Sequence, residues 1–466
     1  MVEATGATSL DLARPQRIHI VGIGGAGMSA IATVLAQLGH RVSGSDLKES
    51  RTVARLRVAG VDAVTGHAAA HVTDDVDAVV VSTAIPPSNP EVQAAQARGI
   101  PVLRRAEALR AIVATRRTVA VAGSHGKTTT ASMLALVLRA AGWRPSFIIG
   151  GEVNEVGTNA TLDAGEWMVV EADESDGTFL ELGPEAVIVT NVEPDHLDHY
   201  GDFPGLMDAF HDFLSAVPGV RVACADDPVA RRLAAADRGI LTYGWADDAD
   251  YRIADYEGGR TGSRLELAHR GTSLGTIELP VPGWHNALNA AGATALALEL
   301  GVAFAPVAEA LRGFGGVARR FQFRGQLDGA TLVDDYAHIP GEIAAMIRAA
   351  REGGWRRVVA IFQPHRYTRT ARMWREFGDA FTGADAVVLT DVYSAGEAPQ
   401  PGVSGRLILR AVLDRHPSLP VTYLPRRADL VEHVPRLIRP GDVVLTLGAG
   451  DLTTLPDEWL QPAGPS

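Results

Sequence analysis

The stretch that decides the fold follows a short apolar run and contains two glycines and a lysine: Gly123-Ser124-His125-Gly126-Lys127-Thr128-Thr129-Thr130. The run before it, Thr118–Ala122, predicts a buried strand, and the alanine-rich segment 131–141 predicts a helix. A glycine loop between a strand and a helix points backbone N–H groups and the positive helix end at an anion. The stretch therefore predicts a phosphate-binding loop of the kind that holds ATP. A plain turn capped by threonine is the alternative, but the flanking strand and helix favour the phosphate loop.

Lysine is rare in this chain, which has 43 lysines and arginines together but only two lysines, Lys48 and Lys127. A slim, rotatable ammonium fits inside a tight loop where a planar guanidinium does not, so Lys127 is expected to contact the β- and γ-phosphates. Thr128 is expected to offer its hydroxyl to Mg²⁺. The loop is a shortened variant, because two residues rather than the common four separate its glycines. The ATP contacts predicted within it are Gly123, Ser124, His125, Gly126, Lys127, Thr128 and Thr129.

The composition is that of a soluble globular protein. A chain of 466 residues predicts roughly two to four domains. The net charge of −12 argues against general binding to nucleic acid or to anionic membranes. The single cysteine, Cys224, rules out an intramolecular disulfide, and no apolar run approaches the ~20 residues that span a bilayer. With no signal-peptide pattern at its N-terminus, the chain is expected to work in the cytoplasm.

A second glycine loop lies near the N-terminus, in Gly22-Ile23-Gly24-Gly25-Ala26-Gly27. It follows a predicted strand, Arg17–Val21, and precedes a helix predicted over Ser29–Leu38, as in dinucleotide-binding domains. Asp46, after the second strand, stands where an acidic side chain would hold a ribose. Alone the pattern indicates NAD, but the separate phosphate loop favours another nucleotide diphosphate, such as a UDP-linked substrate. The residues predicted to bind it are Gly22, Gly24, Gly25, Ala26, Gly27, Asp46, Ser82, Thr83 and Ala84.

Two acidic segments follow apolar strands of the middle region. Glu171 comes directly after Trp167–Val170 and is expected to leave the strand first and to bind Mg²⁺, which prefers oxygen ligands. His196 follows the strand predicted over Ala186–Thr190 and is expected to serve a second Mg²⁺ position. Zinc held by His196 and His199 is one alternative, and a structural capping loop is another.

Strands and helices alternate along nearly the whole chain, which predicts an α/β fold with doubly wound parallel sheets. We predict three domains: a Rossmann-like domain over residues 1–113, a central P-loop domain over 114–317 with a β-rich insertion, and a Rossmann-like domain over 318–466. The third domain is indicated by its predicted strands, Val358–Phe362, Ala386–Thr390, Val421–Leu424 and Asp442–Leu447.

Four further motifs follow the two loops in order along the chain. They are Gly283-Trp284-His285-Asn286-Ala287-Leu288-Asn289-Ala290, Arg319-Arg320-Phe321, Asp334-Asp335-Tyr336-Ala337-His338 and Gln363-Pro364-His365-Arg366-Tyr367-Thr368-Arg369-Thr370. With these motifs the chain resembles the Mur ligase family from about Arg17 to about Asp451, and the ordered combination is far more specific than any one motif. One departure is Ile339, where the family carries a second histidine.

The resemblance implies an ATP-dependent ligase that uses Mg²⁺ and joins L-alanine to UDP-N-acetylmuramate through an acyl phosphate. The first domain would bind the UDP-linked substrate, the central domain ATP and the third domain the amino acid. The catalytic residues that it implies are Lys127, Glu171, His196, Arg320 and Asp335, with Thr128, Glu171 and His196 as metal ligands. Further contacts that it implies are Asn286, Asn289, Arg320 and Asp335 for ATP, and Tyr336, His338, Arg366 and Arg369 for the amino acid.

Three alternatives stay open on the sequence. A related recycling ligase adds a whole tripeptide to the same UDP-linked substrate and shares the phosphate loop, although its arginine loop differs. A nicotinamide-dependent oxidoreductase and a nucleotide-sensing module without catalysis belong to other classes. The expected partners are the small-molecule substrates, with no nucleic acid and no membrane, and the expected state is a monomer or a homodimer.

Overall fold

The computed structural model describes residues 10–82 and 84–461. These residues form three mainly parallel sheets with helices between the strands, which confirms the predicted α/β class. The chain divides into two compact units, one with residues up to 253, 267–275 and 288–311, and the other with 254–266, 276–287 and 312 onward. The glycine loop of the first domain and the phosphate loop of the central domain therefore belong to one unit. The boundaries at 113/114 and 317/318 stay predictions.

The first domain contains β1 (Arg17–Val21), α1 (Ala26–Gln37), β2 (Arg41–Asp46), α2 (Arg51–Val58), β3 (Asp62–Thr65), β4 (Ala78–Val81), α3 (Pro90–Ala97), β5 (Val102–Arg104) and α4 (Arg105–Val113). Its parallel sheet has the order β3-β2-β1-β4-β5. Strand β1 pairs with β2 on one side and with β4 on the other, so the strand order reverses beside β1. Open α/β sheets bind ligands at such a point, next to the carboxyl ends of the strands.

The central domain contains β6 (Arg117–Ala122), α5 (Lys127–Ala140), β7 (Ser146–Val153), β8 (Thr158–Thr161), β9 (Trp167–Ala172), β10 (Ala186–Val189), α6 (Leu197–Tyr200), α7 (Phe203–Ala216), β11 (Arg221–Cys224), α8 (Pro228–Ala236), β12 (Ile240–Gly244), β13 (Tyr251–Gly258), β14 (Ser263–His269), β15 (Thr272–Leu279), α9 (Trp284–Glu299) and α10 (Phe304–Arg312). The sheet order is β15-β14-β13-β12-β11-β10-β6-β9-β7-β8. Residues 119–122 of β6 are fully buried, which is why this central strand is a continuous apolar run. The loop that follows β6 is flanked by the segments that follow β9 and β10.

The third domain contains β16 (Gln322–Leu327), β17 (Ala330–Asp335), α11 (Pro340–Glu352), β18 (Arg357–Phe362), α12 (Tyr367–Met373), β19 (Ala386–Leu389), α13 (Gly405–Arg415), β20 (Val421–Tyr423), α14 (Arg427–Leu437), β21 (Asp442–Leu447) and α15 (Leu455–Leu460). The sheet order is β16-β17-β21-β18-β19-β20, with only the β16–β17 pair antiparallel. Phe362, Phe377 and Phe381 pack together in its core.

Two helices begin earlier than predicted, and one strand ends later. Helix α1 begins at Ala26 and α5 at Lys127, so the last residues of each glycine loop form the first helical turn. The N–H groups of a first helical turn have no partner within the helix, and small or polar residues suit this position. Because such residues are also typical of loops, the sequence pattern places the start of the helix too late. Strand β9 runs to Ala172, so the expectation that Glu171 leaves the strand first is wrong. Its pairing with Val121 of β6 keeps it in the sheet.

Within the described residues, no helix combines the length and the apolar composition that crossing a bilayer requires.

Candidate active site

The phosphate loop, residues 123–127, connects β6 to α5 and depends on two glycines with positive φ. Gly123 has a φ of 131° and Gly126 a φ of 78°. A β-carbon on Gly126 would lie 2.5 Å from Oδ1 of Asn289 in α9, so a larger residue does not fit there. The glycines let the chain turn tightly into the N-terminus of α5, where unpaired N–H groups favour an anion. Asn289, which we predicted as an ATP contact, lies directly against this loop.

The segment at the end of β10 is hydrogen-bonded to the phosphate loop. The N–H of His125 donates to Oδ1 of Asn191 (2.8 Å), and Nδ2 of Asn191 donates back to the carbonyl of His125 (3.1 Å). Thr190 Oγ1 donates to the same carbonyl (2.5 Å). Oγ of Ser124 accepts a hydrogen bond from the N–H of Glu193 (2.8 Å). These hydrogen bonds come from the chain itself and restrict the conformations of the loop, which lowers the entropic cost of ordering it around a ligand.

A buried carboxylate holds the side chain of Lys127. Its Nζ lies 2.7 and 3.1 Å from the two carboxylate oxygens of Glu174 and donates to the carbonyl of Gly123 at 2.5 Å. Glu174 is only 2% exposed. Burial by itself lowers the pKa of Lys127, but Glu174 and Asp173 outweigh burial and raise this pKa above its ordinary value. The ammonium is therefore charged at neutral pH and is fixed inside the loop.

Glu174 is a functional candidate that the sequence analysis missed. Glu171, which we predicted as a Mg²⁺ ligand, lies within β9, and its carboxylate accepts a hydrogen bond from the N–H of Gly150. Its role as a metal ligand stays a prediction. Glu174 lies on the loop after β9, and the hydroxyl of Tyr200 donates to its carbonyl. The only signal in the sequence is the row of acidic residues over 171–176, and such a row does not tell which carboxylate points at the phosphate loop.

The three predicted Mg²⁺ ligands lie on different elements of the first unit. Thr128 is in the first turn of α5, Glu171 is in β9, and His196 precedes α6 with a φ of 54°. Nε2 of His196 lies 3.4 Å from Oδ2 of Asp195. Among the side chains that the structure describes, no group of three or more His, Cys, Asp or Glu residues is placed to hold a metal ion. Mg²⁺ takes many of its ligands from phosphates and water, so a threonine hydroxyl and a carboxylate suit it.

The glycine loop, residues 22–27, connects β1 to α1 and is held by the strand next to it. Gly22 has a φ of 77°, and its N–H donates to the carbonyl of Ser45 in β2 (2.8 Å). Oδ2 of Asp46 accepts a hydrogen bond from the N–H of Gly24 (2.9 Å). We expected Asp46 to hold a ribose. Its carboxylate supports the loop itself in this structure, and the ribose contact stays a prediction.

Other predicted UDP contacts lie at the carboxyl ends of β1 and β4: Gly25, Ala26, Gly27 and Ser82. Oγ of Ser82 would lie 3.9 Å from a β-carbon on Gly22, so it borders the glycine loop. Ala84 is exposed, and Thr83 lies outside the described residues. The described glycines and Ser82 therefore share one end of the sheet, where a diphosphate would meet the N-terminus of α1.

In the third domain, Asp335, which we predicted to face ATP, is buried against the main chain. Its two oxygens accept hydrogen bonds from the N–H groups of Phe321 and Ala337, each 2.7 Å long. Burial raises the pKa of Asp335 to about 6, against the opposing effects of Arg320 and of these hydrogen bonds. Arg319 and Phe321 both have positive φ, so the carboxylate stabilises a strained turn that carries Arg320. Contact of Arg320 and Asp335 with ATP stays a prediction.

Tyr336 and His338, predicted to bind the amino acid, belong to an aromatic cluster built around His365. The His338 and His365 rings meet edge to face at 5.9 Å, and His365 stacks on Tyr393 at 5.7 Å. The ring of Tyr336 lies 5.3 Å from that of His338, and Nη1 of Arg369 lies 3.4 Å from Nδ1 of His365. Burial, together with the nearby charges of His338 and Arg369, lowers the pKa of His365 to about 4. The structure thus brings three of the four predicted residues together around a neutral imidazole.

The fourth predicted amino-acid contact, Arg366, is held by Glu397, which no motif in the sequence identifies. Its Nε donates to Oε1 of Glu397 at 2.8 Å. The same carboxylate accepts hydrogen bonds from the hydroxyl and the N–H of Thr368 (2.6 and 3.0 Å). Burial alone would raise the pKa of Glu397, but the bonds from Thr368 and Arg366 outweigh it and lower this pKa. Arg366 is therefore paired with an ionised carboxylate, which orients its guanidinium.

Asn286 differs from Asn289 in its surroundings. Its Nδ2 donates to the carbonyl of Pro282 at 2.7 Å, and the side chain is buried. Asn286 thereby stabilises the turn that enters α9, and its contact with ATP stays a prediction.

The fold and the site define a class: α/β proteins with a phosphate loop at the centre of a parallel sheet and two further α/β domains. Comparison with known proteins identifies the family. Residues 17–117 match the model described as Mur ligase family, catalytic domain, residues 121–297 the Mur ligase middle domain, and residues 319–450 the Mur ligase, glutamate ligase domain. The chain belongs to the Mur ligase family, which confirms the resemblance seen in its motifs.

Similar proteins extend over nearly the whole chain. The UDP-N-acetylmuramate–L-alanine ligase of Pelotomaculum thermopropionicum is 47% identical over 94% of this chain and 96% of its own length. The enzyme of the same name from Bradyrhizobium sp. strain ORS 278 is 49% identical over 95% and 97%. Among solved structures, the UDP-N-acetylmuramate–alanine ligase MurC of Thermotoga maritima matches with a TM-score of 0.82 and 31% identity, over 95% of this chain and 98% of that one. A murein peptide ligase from Psychrobacter arcticus matches with a TM-score of 0.71 and 25% identity over 96% and 98%.

Proposed function

We propose that this chain is an ATP-dependent ligase that joins L-alanine to the lactyl carboxylate of UDP-N-acetylmuramate. The observation that carries the proposal is the charged ammonium of Lys127, buried within a phosphate loop that its neighbours hold by hydrogen bonds. Relatives that are 47% and 49% identical over almost their full length are named for this reaction. The match to the alanine ligase structure, with a TM-score of 0.82 against 0.71 for the murein peptide ligase, favours alanine over a tripeptide.

In the first step an oxygen of the lactyl carboxylate attacks the γ-phosphorus of ATP. The bond from that phosphorus to the leaving oxygen of ADP breaks, and an acyl phosphate forms. The N–H groups of the phosphate loop and Lys127 offset the negative charge of the transferring group. The ammonium of Lys127, which pairs with Glu174, has three N–H donors and can also contact a phosphate oxygen. Thr128, Glu171 and His196 are the residues that would hold Mg²⁺, which would supply further positive charge to offset that of the phosphates.

In the second step the amine of L-alanine attacks the carbonyl carbon of the acyl phosphate. The tetrahedral intermediate expels inorganic phosphate, which takes up the proton that the nitrogen loses, and an amide bond remains. Arg366, oriented by Glu397, would clamp the carboxylate of alanine, because a guanidinium offers two parallel N–H donors. The aromatic cluster around His365 would enclose the small side chain. Holding three substrates in one geometry supplies much of the rate enhancement.

The test is release of ADP and phosphate by the purified protein with ATP, Mg²⁺ and UDP-N-acetylmuramate, with and without L-alanine. We expect sustained turnover only when L-alanine is present, and formation of the amide product by mass spectrometry. Glycine, L-serine and the tripeptide of the recycling ligases serve as rival amines. Faster turnover with the tripeptide, or a spectral change with NAD or NADP in place of ATP turnover, would contradict the proposal.

A cytoplasmic location and a monomeric or homodimeric state are part of the same proposal. Light scattering on the purified protein decides between the two oligomeric states.

A further inference from the structure

Arg105 is an arginine that the function described so far leaves without a role. It is the first residue of α4, and its side chain is 26% exposed. A β-carbon on Gly27 would lie 3.3 Å from Nη1 of Arg105 and 3.6 Å from its Cδ. The guanidinium therefore lies against the main chain of the last glycine in the glycine loop. Both residues belong to the first compact unit.

The other end of the same guanidinium contacts the acidic loop, residues 173–176, in the central domain. Nη2 of Arg105 lies 3.3 Å from Oδ2 of Asp173 and 3.4 Å from Oδ2 of Asp176. Burial disfavours ionisation of Asp173, but Lys127 and Arg105 outweigh burial and hold its pKa at about 2. The acidic loop also carries Glu174, the partner of Lys127. Arg105 thus stands between the glycine loop and the carboxylates beside the phosphate loop.

The contacts of Arg105 to the acidic loop are weak for charged partners. A guanidinium and a carboxylate in a good ion pair share two parallel bonds of about 2.8 Å. Here one nitrogen serves two carboxylates at 3.3 and 3.4 Å. The side chain is also partly exposed, so water screens the pairs. A stronger anion next to Gly27 would therefore compete well for this guanidinium.

We infer that Arg105 binds the diphosphate of the sugar-nucleotide substrate and gives up its contacts to Asp173 and Asp176 when it does so. The inference rests on the proposed function, because it requires a nucleoside diphosphate on the glycine loop. A guanidinium matches the geometry of phosphate oxygens, and the N-terminus of α1 beside Gly27 favours the same anion. Arg105 would then bind the substrate on the glycine loop of the first domain, and it would contact the acidic loop of the central domain when no substrate is bound. Binding of the diphosphate removes one cation from the acidic loop, next to the carboxylate that holds Lys127.

The test is the affinity of the full-length protein for UDP, uridine and UDP-N-acetylmuramate, measured by calorimetry for the wild type and for Arg105→Met. Loss of a charge-assisted bidentate contact should raise the Kd for UDP and for UDP-N-acetylmuramate about 30-fold. Binding of uridine, which has no phosphate, should change less than about twofold. Arg104→Met is the matched control, because Arg104 is the adjacent arginine but is mostly exposed and pairs with Glu107 and Glu181 instead. It should bind UDP as the wild type does.

A second variant tests the competition. Asp176→Asn removes one carboxylate partner of Arg105 and should lower the Kd for UDP about threefold, since the guanidinium is then easier to recruit. Unchanged or weaker binding of UDP by Asp176→Asn contradicts the exchange of partners. If Arg105→Met does not fold, Arg105→Gln replaces it, because glutamine also lacks the charge, and a Kd for UDP that stays at the wild-type value overturns the assignment.

The outcomes separate this inference from the proposed function. A wild-type protein that binds no UDP refutes the UDP-linked substrate, and the inference with it. A wild type that binds UDP, together with an Arg105→Met variant that binds it equally well, refutes Arg105 alone. A loss confined to UDP-N-acetylmuramate assigns Arg105 to the lactyl carboxylate and overturns the diphosphate contact.

Discussion

The glycine loop of the first domain and the phosphate loop of the central domain have the same plan: a buried strand, a tight turn with positive-φ glycine and the N-terminus of a helix. They differ in what the neighbouring carboxylate binds. Asp46 accepts a hydrogen bond from the N–H of Gly24, whereas Glu174 binds the ammonium of Lys127. The glycine loop, residues 22–27, contains no charged side chain of its own.

Because of this difference, one backbone motif can serve two functions: binding a diphosphate that stays intact and transferring a terminal phosphate. A diphosphate that stays intact is held by backbone N–H groups and a helix N-terminus, with Arg105 beside the loop as the cation inferred above. Transfer of a terminal phosphate moves negative charge between oxygens, and that charge is stabilised by a cation placed in advance. The glycine loop therefore suits a substrate that is held, and the phosphate loop suits one that reacts.

The largest effect that tests the comparison is expected from Lys127→Met. The variant keeps the N–H groups of the phosphate loop but lacks its cation, as the glycine loop does. ADP release with all three substrates should fall about 10³-fold, as when a donor to the transition state is removed. Lys48→Met is the control, because Lys48 is the only other lysine and is exposed. Near-normal turnover by Lys127→Met would show that the two loops do not differ as described.

Glu174→Gln should have the next largest effect, on stability. It leaves a buried ammonium without its counter-charge, so the free energy of unfolding of the nucleotide-free protein should fall by about 3 kcal/mol. A non-hydrolysable ATP analogue should restore part of this loss, because its phosphates supply the missing negative charge. Urea denaturation with and without the analogue measures both effects.

The matched control for that experiment is Glu185→Gln in the same domain. Glu185 pairs with Arg117, but both side chains are exposed, so the loss should stay below about 1 kcal/mol. Equal losses in the two variants would contradict a special role for burial at Glu174.

Gly24→Ala should produce a moderate effect confined to the glycine loop. The new β-carbon would lie 2.9 Å from Oδ2 of Asp46 and 3.2 Å from Cγ2 of Val53, so the loop must shift. We expect the Kd for UDP to rise about tenfold while ATP binding stays unchanged. Gly25→Ala should weaken the binding of UDP less, because the nearest atom to the new β-carbon is the carbonyl oxygen of Gly22 at 3.4 Å. The opposite order, measured by calorimetry, would mean that the loop is arranged differently around its ligand.

The smallest effect is expected from Asp46→Asn. The amide oxygen still accepts a hydrogen bond from Gly24, so the loop keeps its shape, but the ribose loses a charged acceptor. The Kd for UDP should rise about threefold, the cost of one weakened hydrogen bond. The wild type should bind UDP more tightly than 2′-deoxy-UDP, and the variant should discriminate less. If Asp46→Asn discriminates between UDP and 2′-deoxy-UDP as strongly as the wild type does, the ribose does not contact Asp46.

Local pattern predicted most of the fold. The strand Asp442–Leu447 and the strand Arg17–Val21 lie where the mainly apolar runs indicated, because strands buried on both faces of a parallel sheet are rich in apolar residues. The two loops were equally visible, because glycine is required where φ is positive. Helix starts were placed three to four residues late at α1 and α5, since their first turns contain the small and polar residues of the loops.

The contacts that organise the candidate site were less visible. Asn191 was not among the predicted site residues, although its side chain is hydrogen-bonded to the main chain of the phosphate loop. Glu397 lies 31 residues from Arg366, and Arg105 and Gly27 come from different parts of the first domain. Such pairs depend on which strand lies next to which, and the sequence does not state the strand order.

The sequence by itself determined three α/β domains, two anion-binding turns and the placement of one scarce lysine in one of them, because apolar runs, glycines and residue choice are local properties. Only the tertiary structure decided which acidic residue faces that lysine. Strand β9 continues through Glu171 to Ala172, which leaves Glu174 on the loop beyond its end. The direction of a side chain near the end of a strand depends on where the strand's hydrogen-bonded pairing with its neighbour stops. For β9 the pairing with β6 continues to Ala172.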